Sequence, residues 1–164
     1  MTSSGFAQEF GLFIGKTNNS ITGPWSLRES SFYGGSFEYP IWYNISYEQR
    51  LGYMAHFPEP KDESFKTGSI LGDSNLNLQL PFLIVGLRPY ATAGIGFVRT
   101  LHGGPQLGTN LDVNYGGGVK FFIPSTPIGL RLDLRLHHII NVFEQRDIKT
   151  FEYSAGLLVR KRKG

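Results

Sequence analysis

Hydrophobic and polar residues alternate with a period of two through most of the chain. The clearest stretch is IGLRLDLRLHH, residues 128–138. Its leucines alternate with four ionisable residues, Arg131, Asp133, Arg135 and His137. Because successive side chains of a β-strand point to opposite faces, this stretch predicts a strand with one leucine face and one charged face. The alternation alone does not decide which face is turned inward.

The same alternation predicts eight strands and no helix. The predicted strands are residues 6–16, 31–39, 44–56, 73–82, 88–99, 110–123, 128–138 and 150–160. They are long enough for tilted membrane-spanning strands, which need about 9–11 residues, whereas globular strands average about 5–6.

The predicted connections alternate between long and short. Long connections are expected at 16–30, 57–72, 100–109 and 138–149, and short ones at 40–43, 83–87 and 124–127. This is the pattern of an up-and-down barrel whose short turns share one rim. An even number of strands then brings both termini to the rim of the short turns.

The polar faces of the predicted strands carry acids and bases in nearly equal numbers. The residues expected to form one inward-facing charge network are Glu9, Glu38, Glu48, Arg50, Asp112, Lys120, Arg131, Asp133, Arg135, His137, Glu152 and Arg160. Buried charges are tolerated when they are paired, and an eight-stranded barrel is just wide enough for side chains to fill. The opposite faces carry Leu, Ile, Val, Phe and Tyr, which suit lipid. We therefore predict that the charged faces are inside.

A soluble barrel with its leucines inside, such as a lipocalin-like ligand carrier, is the alternative. It predicts lysine-rich outer faces and glycines on both faces. Here lysine is nearly absent from the predicted strands, and the glycines favour the charged faces. Aromatic residues near strand ends are typical of membrane interfaces and favour the membrane interpretation. They are Trp25, Tyr39, Trp42, Tyr43 and Tyr53.

Composition narrows the classes of function. The 164 residues suffice for one domain with a core, and the formal net charge of +3 is too small to indicate nucleic-acid binding. The absence of cysteine excludes disulfides and thiolate metal sites. We expect one domain over residues 1–160 and a basic tail over 161–164. The tail is either a solvated terminus or a contact for anionic headgroups or an acidic partner.

Four segments resemble the small outer-membrane β-barrel superfamily, which includes the transmembrane domain of OmpA-type proteins. They are PYATAGIGF (89–97), NYGGGVKFFI (114–123), GLRLDLRLH (129–137) and FEYSAGLLVR (151–160). The resemblance implies an all-β, eight-stranded antiparallel up-and-down transmembrane barrel in the bacterial outer membrane, with periplasmic termini. It also implies contact with outer-membrane lipids, including lipopolysaccharide. Members usually end in an aromatic residue, whereas this chain continues into Lys161-Arg162-Lys163-Gly164.

Enzymatic activity is not expected. The lipid A deacylases that resemble this fold use a histidine, a serine two residues later and a distant glutamate. The nearest stretch, LHHIINVFEQ (136–145), has Ile139 and Ile140 at the two serine positions. A metal site of His137, His138 and Glu144 is also disfavoured, because adjacent strand residues face opposite sides. We expect no catalytic residue, metal or cofactor.

The expected role is structural, either as an envelope scaffold or as an accessory subunit of a larger outer-membrane assembly. A partner could bind the longer loops, of which FPEPKDESFKTGSILG (57–72) is the first candidate. Small residues on the lipid face, at Ala91, Ala93 and Gly117, would also allow a partner to approach closely. A narrow pore, a lipid-modifying hydrolase of the same fold and the soluble carrier remain as alternatives.

Overall fold

The computed structural model describes residues 8–19, 29–56, 67–80, 86–101, 109–142 and 146–161. They form eight strands: β1 (Glu9–Asn19), β2 (Glu29–Trp42), β3 (Ile45–His56), β4 (Thr67–Gln79), β5 (Leu87–Thr100), β6 (Thr109–Phe122), β7 (Ile128–Val142) and β8 (Arg146–Arg160). No helix in these ranges is long and apolar enough to cross a membrane.

The eight strands form one closed antiparallel barrel in sequence order, with β1 hydrogen-bonded to both β2 and β8. Following register partners around the barrel from Glu9 leads back to β1 at Asn19, ten residues further along the strand. Such a stagger tilts the strands by about 35–45° from the barrel axis. The prediction of an eight-stranded antiparallel up-and-down barrel is confirmed.

The start of β4 differs from the prediction. This strand begins at Thr67, whereas the alternation predicts a start at Asp73. Pairing with β3 and β5 extends the ladder through residues 67–72, where the polar alternation is lost. The last six residues of the predicted 57–72 loop are therefore strand, and residues 57–66 lie outside the described ranges.

The predicted long connection at 138–149 is wrong. β7 continues to Val142, and β8 begins at Arg146. Cross-strand pairs such as His138 with Lys149 extend this hairpin, and a register shift lies between Ile139 and Val142. Backbone hydrogen bonds continue the β7–β8 pairing there. The alternation of side chains does not predict these bonds, so it places the end of β7 too early and the start of β8 too late.

The outward face of the barrel is apolar, which answers the question raised by residues 128–138. Leu132 and Leu134 are each 57% exposed, whereas Arg131, Asp133 and Arg135 are buried. The leucines of this strand therefore form the exterior, and its charged residues point into the barrel.

Aromatic residues lie toward both ends of the outward face. The Tyr39 and Tyr47 rings pair at 5.4 Å, and the Tyr33 and Tyr53 rings pair at 5.5 Å six residues further along β2 and β3. Trp42 and Tyr43, both exposed, extend the first group around the β2–β3 turn. Trp25 lies outside the described ranges. Aromatic residues near both ends of the outward face are typical of a barrel that meets the two interfaces of a bilayer.

Both ends of the described chain lie at the rim of the short turns. The Lys161 amide donates to the Gln8 carbonyl at 2.9 Å, and the Arg160 amide donates to the carbonyl of Pro127 in the β6–β7 turn at 2.8 Å. Of the 161–164 tail, only Lys161 is within the described residues. We refer to this rim as the terminal rim and to the opposite one as the loop rim.

Candidate functional site

The barrel interior is the candidate functional site, because inward side chains from all eight strands meet there. Eleven of the twelve residues predicted to form the charge network are buried, and Arg160 is half-buried at the terminal rim. They divide into three clusters along the barrel axis.

The rim cluster consists of Glu9, Glu38, Lys120 and Arg160 and closes the terminal rim. Lys120 Nζ donates to Glu9 Oε2 at 2.8 Å and to Glu38 Oε2 at 2.6 Å. Arg160 Nη2 donates to the other oxygen of Glu9 at 2.8 Å. The guanidinium of Arg160 also lies 3.5 Å from the centre of the Phe122 ring, a cation–π contact.

The central cluster consists of Glu48, Tyr90, Arg131, Asp133 and Arg135. Arg131 donates from Nη1 to Glu48 and from Nε to Asp133 Oδ2, the latter at 2.7 Å. Arg135 Nη2 donates to Glu48 Oε2 at 2.8 Å. The Tyr90 hydroxyl donates to Asp133 and accepts from Arg131 Nε at 2.7 Å. Each charged group therefore has an opposite charge within hydrogen-bond distance, as burial demands.

The upper cluster consists of Arg50, Asp73, Asp112, His137 and Glu152. Arg50 Nη2 donates to Glu152 Oε1 at 2.7 Å. The His137 ring lies between two acids, with Nδ1 at 2.6 Å from Asp112 Oδ2 and Nε2 at 3.1 Å from Glu152 Oε2. Asp73 is less well paired, since its ion pair with Arg50 Nη1 spans 4.0 Å.

An apolar layer adjoins the upper cluster on the side of the loop rim. Its buried residues are Phe13, Phe32, Met54, Leu71, Val98 and Ile139. The Phe13 and Phe32 rings lie 5.1 Å apart, and the Arg50 guanidinium sits 4.3 Å from the centre of the Phe13 ring. The charge network is thus shielded on the loop side by hydrophobic side chains, which lowers the polarity around its ion pairs.

Sequence reasoning missed several of these interior residues. Asp73 is absent from the predicted network because the predicted strand starts at that residue, although Asn75 and Asn77 share its face. The apolar layer was also missed, although Phe13 lies on the same face of β1 as Glu9. Phe32 and Met54 occupy inward positions of β2 and β3, so the same period of two would have placed them inside.

Two glycines explain how large interior side chains fit. A Cβ at Gly52 would lie 2.0 Å from the Phe32 ring, and one at Gly118 would lie 2.8 Å from the Tyr90 hydroxyl. Both distances are shorter than van der Waals contact. Glycine at these two positions therefore makes room for Phe32 in the apolar layer and for Tyr90 in the central cluster.

The three clusters join strands on different sides of the barrel through ion pairs, such as those of Arg50 with Glu152, Lys120 with Glu9 and Arg131 with Glu48. Both ring nitrogens of His137 contact carboxylates rather than a serine hydroxyl. His138 is half-exposed, and Glu144 lies outside the described ranges. The residues two positions after the four histidines of the sequence are Pro58, Gly104, Ile139 and Ile140.

Solved structures that share this architecture include small outer-membrane barrels. Neisserial surface protein A (NspA) is similar with a TM-score of 0.72 and 18% identity, over 96% of this chain and 98% of its own. The N-terminal β-barrel domain of Pseudomonas aeruginosa OprF is similar with a TM-score of 0.62 and 15% identity, over 94% and 99%. The outer membrane enzyme PagL follows with a TM-score of 0.57 and 16% identity, over 90% and 97%. No family model and no curated protein matches the chain.

At these identities the similarity concerns the fold, and proteins of one fold can differ in function. The three neighbours are covered almost completely, so the shared unit is the entire barrel. With its closed ring of eight antiparallel strands, its leucine-rich exterior and its ion-paired interior, the chain has the fold of the small outer-membrane β-barrels.

Proposed function

We propose that this protein is a non-enzymatic β-barrel of the bacterial outer membrane that serves as an envelope scaffold. Its leucine-rich exterior is solvated by lipid hydrocarbon, and its interior keeps the barrel rigid. A rigid barrel of this kind anchors in the membrane and presents its loops to a partner.

The sequence of buried layers in the interior is the observation that carries this proposal. Along the axis, the rim, central and upper clusters are followed by the apolar layer, and their side chains are buried inside the ring of strands, whose interior is only wide enough for side chains. Paired charges and packed aromatic rings oppose the passage of solutes. This favours an anchor over the alternative of a narrow pore.

A hydrolase remains an alternative because the similar structures include the enzyme PagL. Acyl transfer requires a nucleophile with a base in hydrogen-bond reach. The chain has no histidine followed two residues later by serine, and the carboxylate contacts of His137 engage both of its ring nitrogens. These features support a role without catalysis.

Exposed basic residues support an orientation with the loop rim outside and the termini in the periplasm. Lys16 in β1, Arg99 in β5 and Lys149 in β8 are exposed close to the loop rim. Cationic side chains bind phosphate through charge-assisted hydrogen bonds. Close to the loop rim, these side chains would meet the phosphorylated headgroups of lipopolysaccharide in the outer leaflet. We propose lipopolysaccharide as the lipid partner.

A second candidate role is an accessory subunit of a larger outer-membrane assembly. Gln49 is exposed halfway along β3 and donates from Nε2 to Ser74 Oγ at 2.8 Å, so a polar pair faces the hydrocarbon. Polar groups in lipid are costly, and they often mark contacts with other protein segments. The small register pair Ala91 and Gly117 also lies on the outward face and would allow close approach.

The scaffold proposal is tested by reconstituting the detergent-folded protein in planar bilayers. Folding is checked first on a gel, where a membrane barrel migrates differently before and after boiling in SDS. We expect a shift on the gel and no steady conductance, with a large porin as the positive control. Steady ohmic conductance would establish a pore, and a protein that is folded and soluble without detergent would establish the soluble carrier.

The accessory-subunit proposal is tested by photo-crosslinking in the native membrane. A photoreactive residue is placed at Gln49 and, as the matched control, at Leu157 of β8, which is exposed and pairs with neither Gln49 nor Gly117. We expect a defined protein adduct at Gln49 and lipid adducts alone at Leu157. Lipid adducts alone at both positions would contradict an accessory subunit and leave the lipid-anchored scaffold intact.

A further inference from the structure

Three buried ionisable side chains meet in the upper cluster, next to the apolar layer. One carboxylate oxygen of Asp73, one of Asp112 and one ring nitrogen of His137 all lie within 4.8 Å of one another. They come from β4, β6 and β7, and none of the three residues is more than 3% exposed. One imidazole nitrogen and two carboxylate oxygens form a donor set that proteins use for divalent metal ions.

Asp73 lacks the partners that a buried carboxylate needs. Neither of its oxygens accepts a hydrogen bond from the described residues. Asp112 Oδ1 also accepts none from them. The ion pair between Asp73 Oδ2 and Arg50 Nη1 is long, at 4.0 Å. Buried carboxylates are normally hydrogen-bonded, paired or bound to a metal. The three unpartnered oxygens therefore point to a cation between Asp73 and Asp112.

Glu152 orients the His137 ring in the way that a carboxylate behind a metal-bound histidine does. Its Oε2 contacts His137 Nε2 at 3.1 Å, and its Oε1 accepts from Arg50 Nη2 at 2.7 Å and from Ser154 Oγ at 2.9 Å. A histidine that binds a metal commonly donates its other ring N–H to a carboxylate. With the Nε2 proton held by Glu152, the Nδ1 lone pair faces Asp112 Oδ2 at 2.6 Å. Two acceptors this close need a cation between them: the 2.6 Å separation fits a proton, and a metal ion would replace that proton with the two ligand atoms further apart.

The charges of the upper cluster also favour a divalent ion. Asp73, Asp112 and Glu152 supply three negative charges, and Arg50 supplies one positive charge. Arg135, which enters from below, already donates to Glu48 of the central cluster. One divalent ion beside a neutral His137 makes this part of the interior electrically neutral, which is the condition for burying charges at low cost.

We propose that Asp73, Asp112 and His137 form a buried binding site for a divalent transition-metal ion of the zinc type. Asn114 is a further oxygen donor close by, since it is the register partner of His137 and neither atom of its buried amide is hydrogen-bonded. Imidazole nitrogen favours zinc-type ions over Ca²⁺ and Mg²⁺, which prefer oxygen ligands alone. The ion would tie β4, β6 and β7 together at the level of the upper cluster.

The position of the site inside the barrel determines when a metal ion can enter it. The apolar layer separates it from the loop rim, and the central and rim clusters separate it from the terminal rim. A metal ion therefore enters while the barrel folds and exchanges slowly afterwards. For this reason the test loads the metal during refolding.

The experiment refolds the full chain from urea into detergent with excess Zn²⁺, removes loose metal with EDTA and gel filtration, and measures zinc by elemental analysis. We expect one zinc ion per folded barrel in the wild type and almost none in Asp73→Asn. Glu9→Gln is the matched control: it also removes one interior negative charge, but from the rim cluster, and it should retain zinc. A proton shared by His137 and Asp112 predicts no retained zinc in any of the three proteins and would overturn the proposal.

A second measurement does not depend on whether the variants fold. The wild type is refolded with Co²⁺, whose visible absorption bands report nitrogen and oxygen ligation, and separately with Ca²⁺. Cobalt bands that persist through EDTA treatment, with no retained calcium, support the site. Retention of calcium without cobalt bands, or retention of neither ion, would contradict a site of the zinc type.

Discussion

Glu48 of β3 binds two arginines of β7 and has no solvent exposure. It accepts from Arg131 and from Arg135, and Asn75 Nδ2 lies 3.4 Å from its Oε2. Both guanidinium groups reach this carboxylate from the opposite side of the barrel, and their other acidic partner is Asp133 of their own strand. Its charge therefore contributes to the stability of the whole central cluster.

Replacing Glu48 by Gln removes that charge and leaves two buried cations with one acid, Asp133. We expect a loss of about 3–5 kcal/mol in the free energy of unfolding, because a buried charge without its partner is strongly unfavourable. The measurement is urea unfolding in detergent or lipid vesicles followed by circular dichroism. The double variant Glu48→Gln/Arg135→Met should lose less than the sum of its single variants. Strict additivity would mean that the two residues do not interact.

Gly52 and Gly35 provide a matched pair for the packing of Phe32. An added Cβ at Gly52 would lie 2.0 Å from the Phe32 ring, whereas the nearest atom to one at Gly35 is 3.5 Å away. We expect Gly52→Ala to destabilise the barrel by about 1–3 kcal/mol, since overpacking forces side chains from their preferred positions. Gly35→Ala should change stability little in the same unfolding assay. Equal effects at the two glycines would show that Phe32 is not confined.

The sequence could predict which residues face inward but not which of them pair. A period of two assigns faces strand by strand, as it does for Arg131 and Glu48. Their contact joins residues 83 positions apart and depends on the ten-residue stagger of the barrel. Local spacing contains no information about that stagger, so the division of the network into clusters becomes visible only in three dimensions.

At the scale of the elements, the β6–β7 turn contains a strained residue. Ser125 has a φ of 65°, in the left-handed region, and the turn is closed by a hydrogen bond from the Ile123 amide to the Ile128 carbonyl at 3.0 Å. Non-glycine residues pay roughly 1–2 kcal/mol for this conformation. The left-handed conformation at Ser125 allows the chain to reverse direction within the few residues between β6 and β7.

Replacing Ser125 by Gly should relieve this strain. We expect a gain of at most about 1 kcal/mol, because the greater flexibility of glycine in the unfolded chain offsets part of it. Thr126→Gly in the same turn is the control: it removes the 3.0 Å hydrogen bond from Thr126 Oγ1 to the Ile123 carbonyl and should destabilise the barrel. Thermal unfolding in detergent ranks the two variants, and a loss of stability for Ser125→Gly would contradict the strain.

The existence and order of the strands were predictable, whereas some of their ends were not. Alternation identifies a strand where one face is polar and the other apolar. It fails near the loop rim, where inward residues such as Leu71 and Met54 belong to the apolar layer and both faces become hydrophobic. There β4 begins earlier than predicted and the β7–β8 hairpin extends further, because backbone pairing does not require a polar face.

At the scale of the whole molecule, substitutions at two depths along β7 test whether the exterior of the barrel faces hydrocarbon. Leu134 lies near the middle of β7 and Ile128 at its end, and both are exposed. In phospholipid vesicles we expect Leu134→Arg to cost about 2–4 kcal/mol and Ile128→Arg only about 0–1, because the cost depends on depth in the bilayer. Unfolding by guanidinium in vesicles measures both. Equal costs at the two positions would contradict a hydrocarbon layer centred on the barrel.

The pairing of β1 with β8 joins the first and last strands of the chain, so the ring of backbone hydrogen bonds has no stable partial form. Any shorter product of synthesis or proteolysis would have two open edges, whose amide and carbonyl groups find no partner in hydrocarbon. All eight strands must therefore be present before the barrel can be stable in the membrane. Contacts of such long range also form slowly. A chain that lacks β8 is therefore expected to form no stable structure in a bilayer.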